Sequence, residues 1–140
     1  MTDRTFSDPA IQRYISGKEV VVLAMLTSRG GPLATPMWFV NDGEQLAMVS
    51  VDGLAKIRNL ERDSRVSVVA EGGEGGESGA IGVVLAGEVR FLDGDERHKW
   101  GRRFREKYSP NIERLWGGQA IPDNRRVFAF APRVASAFGL

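Results

Sequence analysis

Hydrophobic positions recur along this chain with two periods, one of strands and one of helices. From Glu19 to Ser28 the residues EVVVLAMLTS are β-branched and nearly continuous, the pattern of a strand buried on both faces. A tight SRGGP turn leads to LATPMWFV at 33–40, and Asn41-Asp42-Gly43 signals a hairpin into EQLAMVSV at 44–51. Three consecutive antiparallel strands are therefore predicted. Pro36 lies inside the second, which places that segment at an edge or bulge, where backbone groups are free to face a ligand. RVSVVAE at 65–71, AIGVVLAGEVRFL at 80–92 and RRVFAFAP at 125–132 return to the strand pattern, and VASAFGL closes the chain.

Three segments carry the helical period. Residues 7–17 have Ser7 or Asp8 to cap them, Pro9 for the first turn and Gly17 for the end. In 54–63, Leu54, Ile57 and Leu60 recur on one face while Lys56, Arg58, Glu61 and Arg62 point elsewhere. From Asp93, which with Glu96 resembles a capping box, a helix is predicted to about Tyr108. Its Trp100, Phe104 and Tyr108 form one aromatic stripe, expected to be core, and its cations are expected to surround it rather than share a face. The glycine-rich 72–79 is expected to be a mobile hairpin tip, and 109–124 a Pro/Gly-rich connection. Six or seven antiparallel strands in so short a chain close most economically into a small barrel with helices outside.

Composition narrows the chemistry. The 140 residues fit a single domain over 1–140, with 42% apolar and 26% charged residues. The absence of cysteine excludes disulfides, thiolate metal sites and Cys nucleophiles, and a lone histidine excludes His–His metal motifs. His98 is expected to be a solvated surface residue. Nineteen cations against eighteen acids give a net charge of +1, which gives no general help to nucleic-acid binding. The N-terminus reaches no long apolar run, and Val20–Leu26 is far short of the ~20 residues of a membrane span. A soluble, cytoplasmic protein is the expectation, and richness in Gly, Arg, Ala and Val suggests a GC-rich bacterial genome.

Asp52, Asp63 and Asp93 all sit where caps and turns want them, and no nucleophile has a base. No catalytic side chain and no metal site are predicted, so difficult chemistry would belong to a bound cofactor. Thr35-Pro36-Met37-Trp38 offers polar and aromatic groups on an irregular strand. Ser50, Lys56 and Arg58 follow at a strand end and a helix start. A hydroxyl, free helix N-terminal amides and a lysine are the parts that hold a phosphate, although the same cations also suit a solvated helix face.

GGPLATPMWFV, followed by a strand and then SVDGLAKIRNLERDSRVSV, resembles the pyridoxamine 5′-phosphate oxidase-like superfamily of flavin-binding split β-barrels. The likeness rests on a Gly-x-Pro turn, a Pro-x-Trp/Tyr-Phe strand and a Lys-x-Arg-Asn-Leu-x-Arg-Asp-x-Arg segment, in that order. It extends weakly through Gly87 and the final RVFAFAPRVASAFG. It implies a mainly β fold, a six- to seven-stranded antiparallel split β-barrel, and a homodimer with two cofactor sites at the subunit interface. Thr35, Pro36 and Met37 would line the ring with their backbone. Ser50, Ala55 and Lys56 would hold the phosphate, with Arg58 and Asn59 as nearby support.

The chain lacks the paired arginine and tyrosine substrate clamp of true pyridoxamine phosphate oxidases and is much shorter, which points away from vitamin B6 oxidation. It looks closer to the small actinobacterial members that use the deazaflavin coenzyme F420, but its glycine-rich tip stands where some of those carry an aromatic pair. The implied function is an oxidoreductase that moves a hydride between coenzyme F420, or FMN, and a conjugated organic acceptor. The alternative is a non-catalytic protein that binds or sequesters a flavin or haem. A nucleic-acid surface on the basic 97–107 helix ranks last, since acids interleave with its cations.

Overall fold

The structure is a computed structural model that describes residues 2–73 and 80–140. In chain order the elements are β1 (Thr2–Arg4), α1 (Pro9–Ser16), β2 (Val20–Leu26), β3 (Pro32–Asn41), β4 (Leu46–Val51) and α2 (Ala55–Arg62). There follow β5 (Arg65–Glu71), β6 (Gly82–Leu92), α3 (Gly94–Tyr108), α4 (Asn111–Trp116) and β7 (Arg125–Phe138). The predicted strands and helices are present. β1 and α4 are additional: the first is too short to show a period, and the second lies in a stretch whose Pro and Gly residues hide one helical turn and a half. The predicted hairpin tip at 72–79 falls mainly on residues 74–79, which lie outside the described residues.

All strands pair antiparallel in the order β1-β7-β4-β3-β2-β5-β6, and β6 also pairs with β7. Six strands thus close a barrel, and β1 adds a seventh at the rim. Closure depends on a β-bulge. Ala86 faces Val134 but Gly87 faces Pro132, so Arg133 is the extra residue on β7. A Cβ on Gly87 would lie 2.1 Å from the Ala131 carbonyl oxygen, so only glycine lets the two backbones meet there. Displaced from the ladder, Arg133 pairs with Glu88 at 2.9 Å.

Burial along β2 alternates. Val21, Leu23 and Met25 enter the barrel interior, whereas Val20 is 43% exposed, which corrects the expectation of a strand buried on both faces. The interior is completed by Phe39, Met48, Leu85, Phe128 and Phe130, with Ile11 and Ile15 of α1 and Ile57 and Leu60 of α2 packed onto it. Leu54 does not join that face: it is the N-cap of α2 and stands exposed. A second cluster lies outside the barrel wall, where Trp100, Phe104, Tyr108, Ile112 and Trp116 of α3 and α4 cover Val40, Ala47, Val127 and Ala129. The aromatic stripe is core, as its spacing implies. The capping box is not formed: Asp93 starts α3 without a side-chain bond, and Glu96 is drawn away by Arg90 at 2.9 Å. α1 is capped by Asp8, whose carboxylate accepts from the Ala10 N–H at 2.8 Å.

Candidate functional site

The barrel opens between β3 and β4. Their ladder joins only Phe39, Val40 and Asn41 to Met48, Ala47 and Leu46. β4 continues to Val51 against β7, but residues 32–38 of β3 pair with β2 alone. Backbone groups on the free side of Thr35, Pro36 and Met37 therefore have no strand partner among the described residues, as the position of Pro36 implied. After β4 the chain turns at Asp52 and Gly53, whose φ of +82° suits glycine, and enters α2. The first turn of α2 comes back to the open half of β3, with Lys56 Nζ 3.6 Å from Met37 Sδ.

Positive charge gathers at the start of this helix. Leu54 gives α2 no side-chain cap and the first turn holds no acid, so the N–H groups that begin the helix keep their partial positive charge. Lys56 is half-buried and has no ion pair among the described residues. Ser50 is nine-tenths buried, and its hydroxyl makes no hydrogen bond with the described residues. Ala55 is exposed at the helix start. Arg58, also exposed, folds its guanidinium onto the Gly53 carbonyl, which fixes the turn before the helix. Asn59 faces inward at 6% exposure, and its side-chain oxygen accepts from Arg62 at 3.1 Å. The structure brings Met37 and Lys56 into contact. It places Arg58 on the turn and Asn59 on the packed face of the helix. The Met37 side chain belongs to the barrel core and meets Lys56 at its sulfur.

Residues not singled out from the sequence hold this corner in place. Beside Ser50 in the β4–β7 ladder stands Arg126, 3.7 Å from Asp52 and 3.9 Å from Glu61, with its guanidinium over the Phe91 ring. The other half of β3 is latched by the end of α3. Trp38 stacks on Tyr108 with ring centroids 4.2 Å apart and planes within 6°. The Tyr108 hydroxyl accepts from the Phe39 N–H at 2.8 Å and lies 2.7 Å from the Glu19 carbonyl, to which it can donate. The β2–β3 ladder ends at Val20 and Trp38, so the hydroxyl bridges the next position in register. Burial pushes the Tyr108 phenol up to about 12. Lys107 donates to the Phe39 carbonyl at 2.9 Å, with its ammonium 3.5 Å from the Phe39 ring centre. Burial lowers its amine to about 8, against the pull of Glu19. Tyr108 was legible as core from the stripe, but nothing in the sequence tied it to Phe39. His98 is exposed, as expected, and bonded to the Gly94 carbonyl.

The profile of the pyridoxamine 5′-phosphate oxidase family matches residues 7–138. The chain belongs to that family. Among curated proteins, no sequence matches it. Solved structures agree with the family assignment at the level of fold. A conserved hypothetical protein of Mycobacterium tuberculosis superimposes with a TM-score of 0.80 at 23% identity, over 99% of this chain and 90% of its own. A haem-binding protein of Mycobacterium smegmatis gives 0.77 at 18%, over 99% of this chain but only 56% of that one, so the chain spans little more than half of that neighbour. HutZ, the haem storage protein of Vibrio cholerae, gives 0.74 at 16%, over 94% and 93%. The fold of these structures is thus shared over nearly the whole chain. No described helix is long and apolar enough to cross a membrane.

Proposed function

We propose that this member of the pyridoxamine 5′-phosphate oxidase family binds a phosphate-bearing flavin or deazaflavin, coenzyme F420 or FMN, and transfers a hydride to a conjugated organic acceptor. The observation that carries the reading is the juxtaposition of Lys56 and the uncapped start of α2 with the unpaired half of β3. Lys56, the Ala55 and Lys56 amides and Ser50 would hold the phosphate. Thr35, Pro36 and Met37 would present backbone edges to the ring. When bound, the cofactor supplies the hydride chemistry. The chain's own residues bind, orient and exclude water, and no acid or base side chain is needed at the opening. A haem reading has less support, because the sole histidine, His98, is exposed on α3 and engaged with Gly94.

The reading includes a homodimer. α3 and α4 cover one side of the barrel wall only. On the other, outward residues align across the register as Pro36, Val22, Val69, Val84 and Ser136, and as Ala34, Ala24, Ser67, Ala86 and Val134. Val134 is 60% exposed. A broad apolar sheet face beside the proposed site suits a second copy of the chain. Sedimentation should give twice the monomer mass for the wild type and a monomer for Val84→Glu. A monomeric wild type would remove the shared-site part of the reading.

Absorbance titration with FMN and with coenzyme F420 tests the cofactor. Lys56→Ala should bind the preferred one about ten- to hundredfold more weakly, the loss of a charge-assisted hydrogen bond of roughly 1.5–3 kcal/mol, and the difference should shrink in high salt. Arg62→Ala, on the same helix, exposed and hydrogen-bonded among the described residues only to Asn59, should change affinity by no more than a few-fold. Equal binding by Lys56→Ala and wild type sinks the phosphate site. Binding without turnover of the reduced cofactor by any conjugated acceptor favours the non-catalytic flavin carrier.

A further inference from the structure

The cations of α3 divide into two groups. Arg97 donates to the Pro122 and Arg125 carbonyls at 2.6 and 3.1 Å, and Arg105 to the Ala120 and Gly117 carbonyls at 3.2 and 3.4 Å, with Glu113 beside it. Both pin the connection that carries α4. Lys99, Arg102, Arg103 and Lys107 fall at i, i+3, i+4 and i+8, a single helical face. They line a cavity of about 620 Å³ against Val40 and Asn41 of β3. That corrects the expectation that the basic charges surround the helix: carbonyl contacts engage Arg97 and Arg105 away from the groove, and of the four gathered cations only Lys107 also donates to a carbonyl, that of Phe39.

We propose that this groove binds a compact oligophosphate, at a site separate from the opening between β3 and β4. Four cations face a single carboxylate, Glu106, in the lining. Among the described residues none of the four makes an ion pair within 4 Å. Glu96, which acts electrostatically on Lys99, is held by Arg90, and Glu19, outside the lining, acts on Lys107. Two of the four are already positioned. The Arg103 guanidinium lies 5.3 Å from the Trp100 ring centre, and Lys107 is fixed by the Phe39 carbonyl and ring. Binding therefore orders fewer side chains than it would on an ordinary charged face. Arginine forks and lysine ammonium groups converging from one side match closely spaced phosphate oxygens. From Lys99 to Lys107 the helix face is only about 12 Å long, room for a chain of two to four phosphates and short for a duplex track.

Isothermal titration with inorganic tripolyphosphate tests the site. One saturable event per chain is expected, weakened by salt. Arg102→Gln combined with Arg103→Gln should reduce affinity at least about tenfold, with an unchanged circular dichroism spectrum and melting temperature. Lys56→Ala should retain the binding, which separates this site from the proposed cofactor phosphate site. Arg29→Gln, exposed in the turn between β2 and β3, should also retain it. Any of four results overturns the proposal: no saturation at millimolar tripolyphosphate, undiminished binding by the double variant, loss of binding in Lys56→Ala, or tighter binding of a short DNA duplex than of tripolyphosphate.

Discussion

From Trp38 to Asn41, strand β3 is anchored: Trp38 by β2 and the stacked Tyr108 ring, Phe39 to Asn41 by β4 in the ladder, and the Phe39 backbone by Tyr108 and Lys107 as well. From Pro32 to Met37 its only strand partner is β2, with Thr35 half-buried and Pro36 exposed. One strand thus contains an anchor and an opening. A small barrel can in this way leave backbone groups unpaired without unfolding. The free segment continues rigidly from a locked one, so its amides and carbonyls stay aimed while remaining available to a ligand. In an isolated loop the same groups would either find water or move.

Breaking the anchor should have the largest effect. Tyr108→Ala removes a buried stacked ring together with its bridge between Glu19 and Phe39, and should cost about 3–5 kcal/mol in urea denaturation. Tyr108→Phe keeps the ring and loses the bridge, for about 1–3 kcal/mol. A Tyr108→Ala protein within about 1 kcal/mol of wild type would mean that β3 is not held by α3. At the open half the expected effects on folding are small. Lys56→Ala and Thr35→Ala should each leave stability within about 0.5 kcal/mol, whatever they do to cofactor affinity. A loss comparable with that of Tyr108→Phe would make the opening part of the scaffold.

A subtler test uses pH at the anchor. Burial lowers the Lys107 amine to about 8 in the folded chain, against about 10.4 in the unfolded one. Between these values the unfolded state holds a proton that the folded state has released, so this group makes stability rise with pH across that window. Tyr108 acts in the opposite direction at higher pH, because its folded phenol, raised to about 12, keeps a proton that the unfolded chain loses above about 10. From pH 8 to 10, wild type should therefore gain stability relative to Lys107→Met. Urea midpoints for the two proteins that stay parallel across that range would show that the amine is solvated.

Much of the barrel was readable because strands and helices differ in period. Trp100, Phe104 and Tyr108 announce an inward face whatever they pack against, whereas the unbroken apolar run of β2 hid its alternation. Periodicity and turn residues were enough to order six of the strands and three of the helices, and to mark the stripe on α3, the proline on an underpaired strand, and the lysine and serine that flank the turn into α2. The sequence also excluded thiol and His–His metal chemistry through composition. It could not determine where β3 and β4 part, since that depends on β4 turning to β7 while β3 stays with β2. Nor could it show that Glu96 would leave Asp93 for Arg90, or that Arg97 and Arg105 would be used up on carbonyl groups while Lys99, Arg102, Arg103 and Lys107 shared a groove. Those outcomes were decided by contacts between residues far apart in the chain. Local sequence sets which way a side chain points along its own element, but only the packed fold sets which backbone or charge waits there to meet it.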